Sequence, residues 1–247
     1  MILKVLVDNL EEEFYQKVNL SEGVLMKKKL RISPSIIAVD YNSQTELNEA
    51  IAIMKKAHIS MMHLDVMDGK FVPTKTFDAE FVKKMRDETD FLLDVHLMVK
   101  DPEKVIDEYI EAGADILTVH YESTKDLEGV LRRIKANGLL AGVSLKIETE
   151  IDVLAPLIKN NLIDVVLIMS VEPGACGRPF DASVLSKIRS LRELNSKLEI
   201  SVDGGINQTN IKEVVEAGAN IAVAGSAIFG TENPLDAIRT MRGNKNR

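Results

Sequence analysis

Two hydrophobic rhythms take turns along this chain. From residue 32 onward, short apolar runs near 32–39, 61–67, 91–98, 115–120, 139–145, 164–169, 198–203 and 220–225 read as strands. Between them, segments near 44–57, 77–88, 102–112, 125–137, 151–161, 181–195, 207–217 and 233–242 carry apolar residues at helical spacing. Each helical segment follows a strand after a short loop, and no hairpin signal separates consecutive strands. That alternation predicts a parallel sheet with right-handed crossovers. Eight units in about 215 residues predict a closed (β/α)8 TIM barrel, of the α/β class. The rival, an open doubly wound sheet, would carry G-x-G-x-x-G after its first strand, and the chain has none there.

An internal echo supports the eightfold register. Glu111-Ala112-Gly113-Ala114-Asp115 leaves one helix and enters a strand, and Glu216-Ala217-Gly218-Ala219-Asn220 does the same half a barrel later. Each glycine is placed to stop its helix in a left-handed cap. The first residues follow neither rhythm. Residues 1–30 are therefore read as an N-terminal extension, an appended helix or arm in which Met26 is a second candidate start. Residues 31–247 are read as a single barrel domain that carries the chemistry.

Composition narrows the function classes. The chain has 247 residues, 45% hydrophobic and 28% charged, with a net charge of -7, an ordinary balance for a soluble globular protein. The longest basic cluster, Lys27-Lys28-Lys29-Leu30-Arg31, is too short to suggest nucleic-acid binding. No apolar run has the length of a membrane span, and the acidic, broken opening MILKVLVDNLEEEFYQK is a poor signal peptide. A lone Cys176 allows no internal disulfide, which suits the cytoplasm. Self-association is open, since no exposed stripe marks an interface.

Candidate chemistry sits where strands end. In a barrel the reacting groups occupy the C-terminal ends of the strands. His63 and Asp65 lie two apart on the second strand and share a face. His96 ends the third strand, Asp203 ends the seventh, and His120 ends the fourth with Glu122 beyond it. Two imidazoles and two carboxylates converging on one mouth suit a divalent cation, and mixed N/O ligation is compatible with zinc, iron, manganese or cobalt. His120 is by default a structural hydrogen-bonding group. Three small-residue loops follow strands six to eight: Glu172-Pro173-Gly174-Ala175-Cys176-Gly177, Gly204-Gly205 and Gly225-Ser226. Such loops let backbone N–H groups approach a phosphate. Cys176 reads as a small loop residue rather than a nucleophile, with no base at short range.

These stretches carry a resemblance. Ser33-Pro34-Ser35-Ile36, His63-Leu64-Asp65-Val66-Met67-Asp68-Gly69-Lys70-Phe71-Val72-Pro73, Asp94-Val95-His96-Leu97-Met98-Val99, Val171-Glu172-Pro173-Gly174, Val202-Asp203-Gly204-Gly205-Ile206 and Ala224-Gly225-Ser226-Ala227-Ile228-Phe229 stand in the order and spacing of their counterparts in another group of enzymes. From about residue 32 to 242 the chain resembles the ribulose-phosphate 3-epimerase family and its hexulose-phosphate relatives. The resemblance implies a metal-dependent barrel with His63, Asp65, His96 and Asp203 as ligands, Asp65 as proton acceptor and Asp203 as proton donor. Ser35, His96, residues 174–177, Asp203 to Gly205 and Gly225-Ser226 would touch a phosphosugar, and Met67 and Met98 would shield the planar intermediate. The implied reaction converts D-ribulose 5-phosphate to D-xylulose 5-phosphate. The alternatives are D-allulose 6-phosphate 3-epimerase and a non-catalytic sugar-phosphate-binding relative.

The chain departs from the family's pattern in its loops. P-S-I-L-S-A-D-F reads Pro34-Ser35-Ile36-Ile37-Ala38-Val39-Asp40-Tyr41, the Asn and Gly after Pro73 give way to Thr74-Lys75-Thr76-Phe77-Asp78, and N-P-x-T-P gives way to Lys146-Ile147-Glu148-Thr149-Glu150. P-G-F-G-G-Q becomes Pro173-Gly174-Ala175-Cys176-Gly177-Arg178. These changes bear on the sugar selected, while the metal and acid/base set is intact.

Overall fold

A computed structural model describes residues 15–20, 23–175 and 177–243. Among the described residues, ten strands run in chain order as β1 Tyr15–Leu20, β2 Gly23–Lys28, β3 Arg31–Pro34, β4 Met61–Met67, β5 Leu92–Met98, β6 Ile116–His120, β7 Leu140–Leu145, β8 Val165–Met169, β9 Glu199–Asp203 and β10 Ile221–Ala224. The helices are α1 Gln44–Lys56, α2 Ala79–Glu88, α3 Ile106–Glu111, α4 Leu127–Ala136, α5 Ala155–Lys159, α6 Val184–Leu194, α7 Ile211–Ala217, α8 Ser226–Phe229 and α9 Pro234–Met241.

The eight strands β3 to β10 pair in parallel in the order β3-β10-β9-β8-β7-β6-β5-β4. One parallel bridge, Ser35 to His63, joins the two end strands and closes the ring. The protein is a (β/α)8 barrel, as the alternation predicts. β1 and β2 form a separate antiparallel pair, with Leu20 opposite Gly23. The described part of the extension is thus a strand pair, 15–20 with 23–28, where the sequence leaves a helix or an arm as the options; residues 1–14 lie outside the described residues.

The helices form because their apolar spacing meets the outer face of the sheet. In α4, Asp126 caps the N-terminus by accepting from the Gly129 N–H at 3.0 Å, and Val130, Leu131 and Ile134 face inward, buried. The cap contributes about 1 kcal/mol and each buried aliphatic side chain about 1.5–3 kcal/mol. Gly113 and Gly218, the two echoed stops, have φ of 92° and 119°. Both lie in the left-handed region that a helix-ending turn requires.

Inside the barrel, alternate strands supply side chains in layers. Met61, Ile116, Val165 and Ile221 form an apolar floor from β4, β6, β8 and β10. Above it the inward residues become polar: Ser33, His63, Asp94, Thr118 and Ser201 are all buried. This switch explains the unusual strand of the second unit. Leu64 and Val66 pack outward against the helices in the main core, while Met61, His63 and Asp65 point into the ring.

The first barrel strand is shorter than its hydrophobicity suggests. The apolar run 32–39 predicts one long strand, but β3 stops at Pro34 and Ile36–Ala38 turn into a 3-10 helix. Ile37 and Ala38 instead border the cavity at the mouth.

Candidate active site

Four side chains from four strand positions meet at the barrel mouth. His63 and Asp65 come from β4, His96 from β5 and Asp203 from the end of β9. One ligand-competent atom from each lies within 4.8 Å of the others. The register puts Asp65 opposite His96 across the β4–β5 ladder and Asp203 opposite Met169 across β8–β9. The carboxylates therefore approach from separate parts of the ring.

Three of the four side chains are held by hydrogen bonds. The Asp65 carboxylate faces His63 Nε2 at 3.2 Å and His96 Nδ1 at 3.0 Å through Oδ1, and its Oδ2 accepts from the Ser35 hydroxyl at 2.7 Å. His63 Nδ1 faces the buried Asp94 carboxylate at 2.8 Å, which also accepts from Ser33 Oγ at 3.3 Å. His96 Nε2 faces His120 Nε2 at 2.9 Å. The imidazoles of His63 and His96 thus each have one nitrogen engaged away from the centre and one turned toward it. That arrangement fits a cation: a ligating histidine typically has its second nitrogen hydrogen-bonded, which fixes the ring and its tautomer. The N2O2 donor set fits as well. Around the backbone, Thr76 Oγ1 donates to the Asp65 carbonyl at 2.6 Å and accepts from the Met67 N–H at 2.9 Å, pinning the end of β4.

The electrostatics separate the two carboxylates. Burial raises the pKa of Asp65, but the adjoining His63 and His96 outweigh it and hold the carboxyl well below its usual range. Burial, reinforced by the charge of Asp65, pushes Asp203 up to about 7, against an opposing hydrogen bond from the Gly204 backbone. Burial pulls His63 down, yet Asp65 and Asp94 overcome it and leave its pKa well above normal. Burial wins at His96, lowering it, and at His120, which falls to about 4. In the absence of a cation, one acid of the pair is ionised near neutrality and the other is about half protonated there. Carboxylates driven apart in this way mark an acid/base pair.

A cavity of about 730 Å³ opens over this centre. Ser35, Asp65, Asp203, Met67 and Met98 border it. So do the three small-residue loops, through Gly174, Ala175, Gly177, Gly204, Gly205, Gly225 and Ser226. Cys176 lies outside the described residues. Met67 and Met98 pack together with Val72 as a small apolar cluster on one wall, and Met169 adds a third thioether that the sequence reading did not single out. The loops after β8 and β9 touch closely: a Cβ on Gly205 would lie 2.5 Å from Phe180 N and 2.7 Å from Arg178 O, and Gly205 has φ of 62°. Only glycine fits that contact without moving backbone.

Two residues gain a place at the site that their sequence context understated. Asp94 stands two before His96 on the same strand, and the period-2 rule that pairs His63 with Asp65 also turns it inward. Glu122, two residues past the end of β6 at His120, accepts from His120 Nδ1 at 3.1 Å.

Residues 31–229 match the model of the ribulose-phosphate 3 epimerase family. The ribulose-phosphate 3-epimerase of Bacillus subtilis is 39% identical over 221 residues, covering 87% of this chain and 100% of that protein. The ribulose-phosphate 3-epimerase of Synechocystis sp. is 40% identical over 226 residues, covering 89% and 96%. Among solved structures, the 3-keto-L-gulonate-6-phosphate decarboxylase of Vibrio cholerae superposes with a TM-score of 0.65 at 16% identity, covering 88% of this chain and 97% of that one. At that identity the likeness is one of fold.

Proposed function

The chain belongs to the ribulose-phosphate 3-epimerase family, and on that premise we propose that it interconverts D-ribulose 5-phosphate and D-xylulose 5-phosphate at the four-residue centre of the barrel mouth. It is an isomerase of the epimerase class. The observation that carries the mechanism is the clustering of His63, Asp65, His96 and Asp203 within 4.8 Å.

Inverting C3 next to a ketone requires removal of its proton from one face and return of a proton to the other. Asp65 and Asp203 reach the centre from β4 and β9, so a substrate lying across the mouth has one carboxyl group on each side. Asp65, ionised and steadied by Ser35, is the acceptor. Asp203, which reaches the centre from β9 on the other side, is the donor. His63, Asp65, His96 and Asp203 would hold a divalent cation, which when bound would supply positive charge to stabilise the negative charge that develops on the substrate oxygens. The Met67–Met98–Val72 wall excludes water from one side of the planar intermediate. The glycine loops after β8, β9 and β10 receive the phosphate through backbone N–H groups.

The zinc, iron, manganese or cobalt identity of the ion follows from loading, not from the donor set, which suits each. Residues 31–247 act as one catalytic barrel, with 1–30 an extension outside the chemistry. Among the described residues no helix is long and apolar enough to cross a membrane. A small phosphosugar substrate, the net negative charge and the lone cysteine accord with work in the cytoplasm.

The test is solvent deuterium wash-in at C3, with product identified, on D-ribulose 5-phosphate and D-allulose 6-phosphate in parallel. Exchange and xylulose 5-phosphate formation favouring the pentose at least about tenfold in kcat/KM, about 1.4 kcal/mol of transition-state discrimination, is expected. A tenfold preference for the hexose would replace the substrate. Binding without exchange on either would replace catalysis with sensing.

A further inference from the structure

His120 is part of the centre's surroundings but not of the chemistry above. Its ring is completely buried, tilted against Phe71 and His96 at centroid distances of 4.8 and 4.9 Å. One side faces His96 and the other faces Glu122, so both its nitrogens are committed.

Proton counting fixes the direction of this chain. The contact of 2.9 Å between His96 Nε2 and His120 Nε2 is a hydrogen bond between two ring nitrogens, and it holds one proton. His96 Nδ1 is the nitrogen on the side of Asp65 and the ligand cluster. A nitrogen that binds a cation offers its lone pair and carries no hydrogen. Neutral His96 then carries its hydrogen on Nε2 and donates it to His120. His120 accepts at Nε2, so its own hydrogen is on Nδ1, where Glu122 Oε2 accepts at 3.1 Å. The other Glu122 oxygen accepts from the Lys146 N–H at 2.9 Å and from the Thr149 hydroxyl at 2.5 Å. The line of hydrogen bonds therefore ends on the loop after β7, one of the segments where this chain departs from its relatives' pattern.

We infer that His120 and Glu122 are positioning residues: a His96–His120–Glu122 relay that fixes His96 with Nδ1 toward the cation and anchors that ligand to residues 146–149. The inference rests on the metal-centre reading above. It gives the two ligand imidazoles matching supports, since His63 reaches a carboxylate directly through Asp94 and His96 reaches one through a second imidazole. A histidine that merely filled space would have no required tautomer and could be replaced by an apolar side chain of similar size.

The experiment measures Zn²⁺ affinity by competition with a chromophoric chelator on metal-stripped parent, His120→Leu and His120→Gln, together with ring 15N shifts of the Zn²⁺-loaded parent. His120→Leu strands the His96 Nε2–H and is expected to weaken Zn²⁺ binding about tenfold to a hundredfold. His120→Gln supplies an amide oxygen in its place and is expected to recover most of that loss. The parent spectrum is expected to place the hydrogen of His120 on Nδ1 and that of His96 on Nε2. Parent-like affinity in His120→Leu, or a His120 hydrogen on Nε2, overturns the relay and leaves the metal centre standing. Failure of the parent to bind one equivalent of Zn²⁺ overturns the metal centre and the relay with it. Should His120→Leu not fold, Glu122→Ala serves: its side chain is 19% exposed, a several-fold weakening is expected, and unchanged affinity overturns the relay.

Discussion

Asp65 and His96 stand opposite each other in the ladder between β4 and β5, with Asp65 Oδ1 3.0 Å from His96 Nδ1. Adjacent strands thus deliver an acid and a base to one point without help from any loop. His63 shares β4 with Asp65, and Asp203 arrives on β9, two strands away from β3 in the ring order. The centre is as rigid as the sheet that carries it, which makes the consequences of single substitutions sharp.

Asp203→Asn keeps the shape of the side chain and removes its proton. Turnover should fall by a factor of about 10² to 10⁴, the usual contribution of a positioned acid or base. Circular dichroism should be unchanged, because Asp203 sits at the end of its strand with its backbone oxygen still accepting from Ser170. Steady-state assays with C3 exchange check both; parent-like exchange would remove Asp203 from the proton path.

Metal removal should inactivate the enzyme, and a divalent ion should restore it. The affinity should also depend on pH with a definite sign. Asp203 in the cation-free site has a pKa of about 7 and His63 one above normal, so below neutrality both hold protons that a cation must displace. Binding should therefore weaken by at least about tenfold for each unit of pH lowered below 7, one proton per tenfold. Competition titrations between pH 5.5 and 8 measure the slope, and a flat profile would argue against these ligands.

Acid should destabilise the fold partly through His120. Its pKa in the folded state is about 4, against about 6.5 when free. Between those values the unfolded chain binds a proton that the folded one refuses, so stability falls as pH drops from about 6.5 to 4. The loss approaches about 3 kcal/mol at the low end. His63 acts in the opposite sense, since its raised pKa favours the folded state below the unfolded value. Denaturant titrations at pH 7 and 4.5 on the parent and on His120→Gln isolate the effect: the variant should lose less on acidification.

Gly205→Ala should damage phosphate binding before chemistry. The added Cβ meets the backbone at Phe180 and Arg178, and the residue has φ of 62°. Strain of about 1–3 kcal/mol at such a site must be relieved by displacing the loops after β8 and β9. KM for the phosphosugar should rise more than kcat falls, read from saturation curves alongside a thermal melt.

The barrel and the inward facing of His63 and Asp65 were legible because both depend on short-range periodicity. Alternation over Met61 to Met67 turns His63 and Asp65 inward whatever the rest of the chain does. The two Gly stops at 113 and 218 reveal the unit length. The run 32–39 misled for the same reason: apolarity says that a segment is covered, not whether a strand or a mouth-lining turn covers it. Asp94 and Glu122 needed partners in space. Asp94 acquires meaning from His63 on the next strand, and Glu122 from His120 together with a loop more than twenty residues away.

The ring has one seam. Seven neighbouring strand pairs are laced by ladders, but β3 and β4 meet through the single bridge between Ser35 and His63. Those same two residues flank Asp65, one through its hydroxyl and one through its imidazole. The weakest hoop of the barrel is therefore fastened at the point where the reaction is carried out. A cation gripped by His63, Asp65 and Asp203 would act as the missing rivet, so that loading the enzyme also locks its cylinder shut.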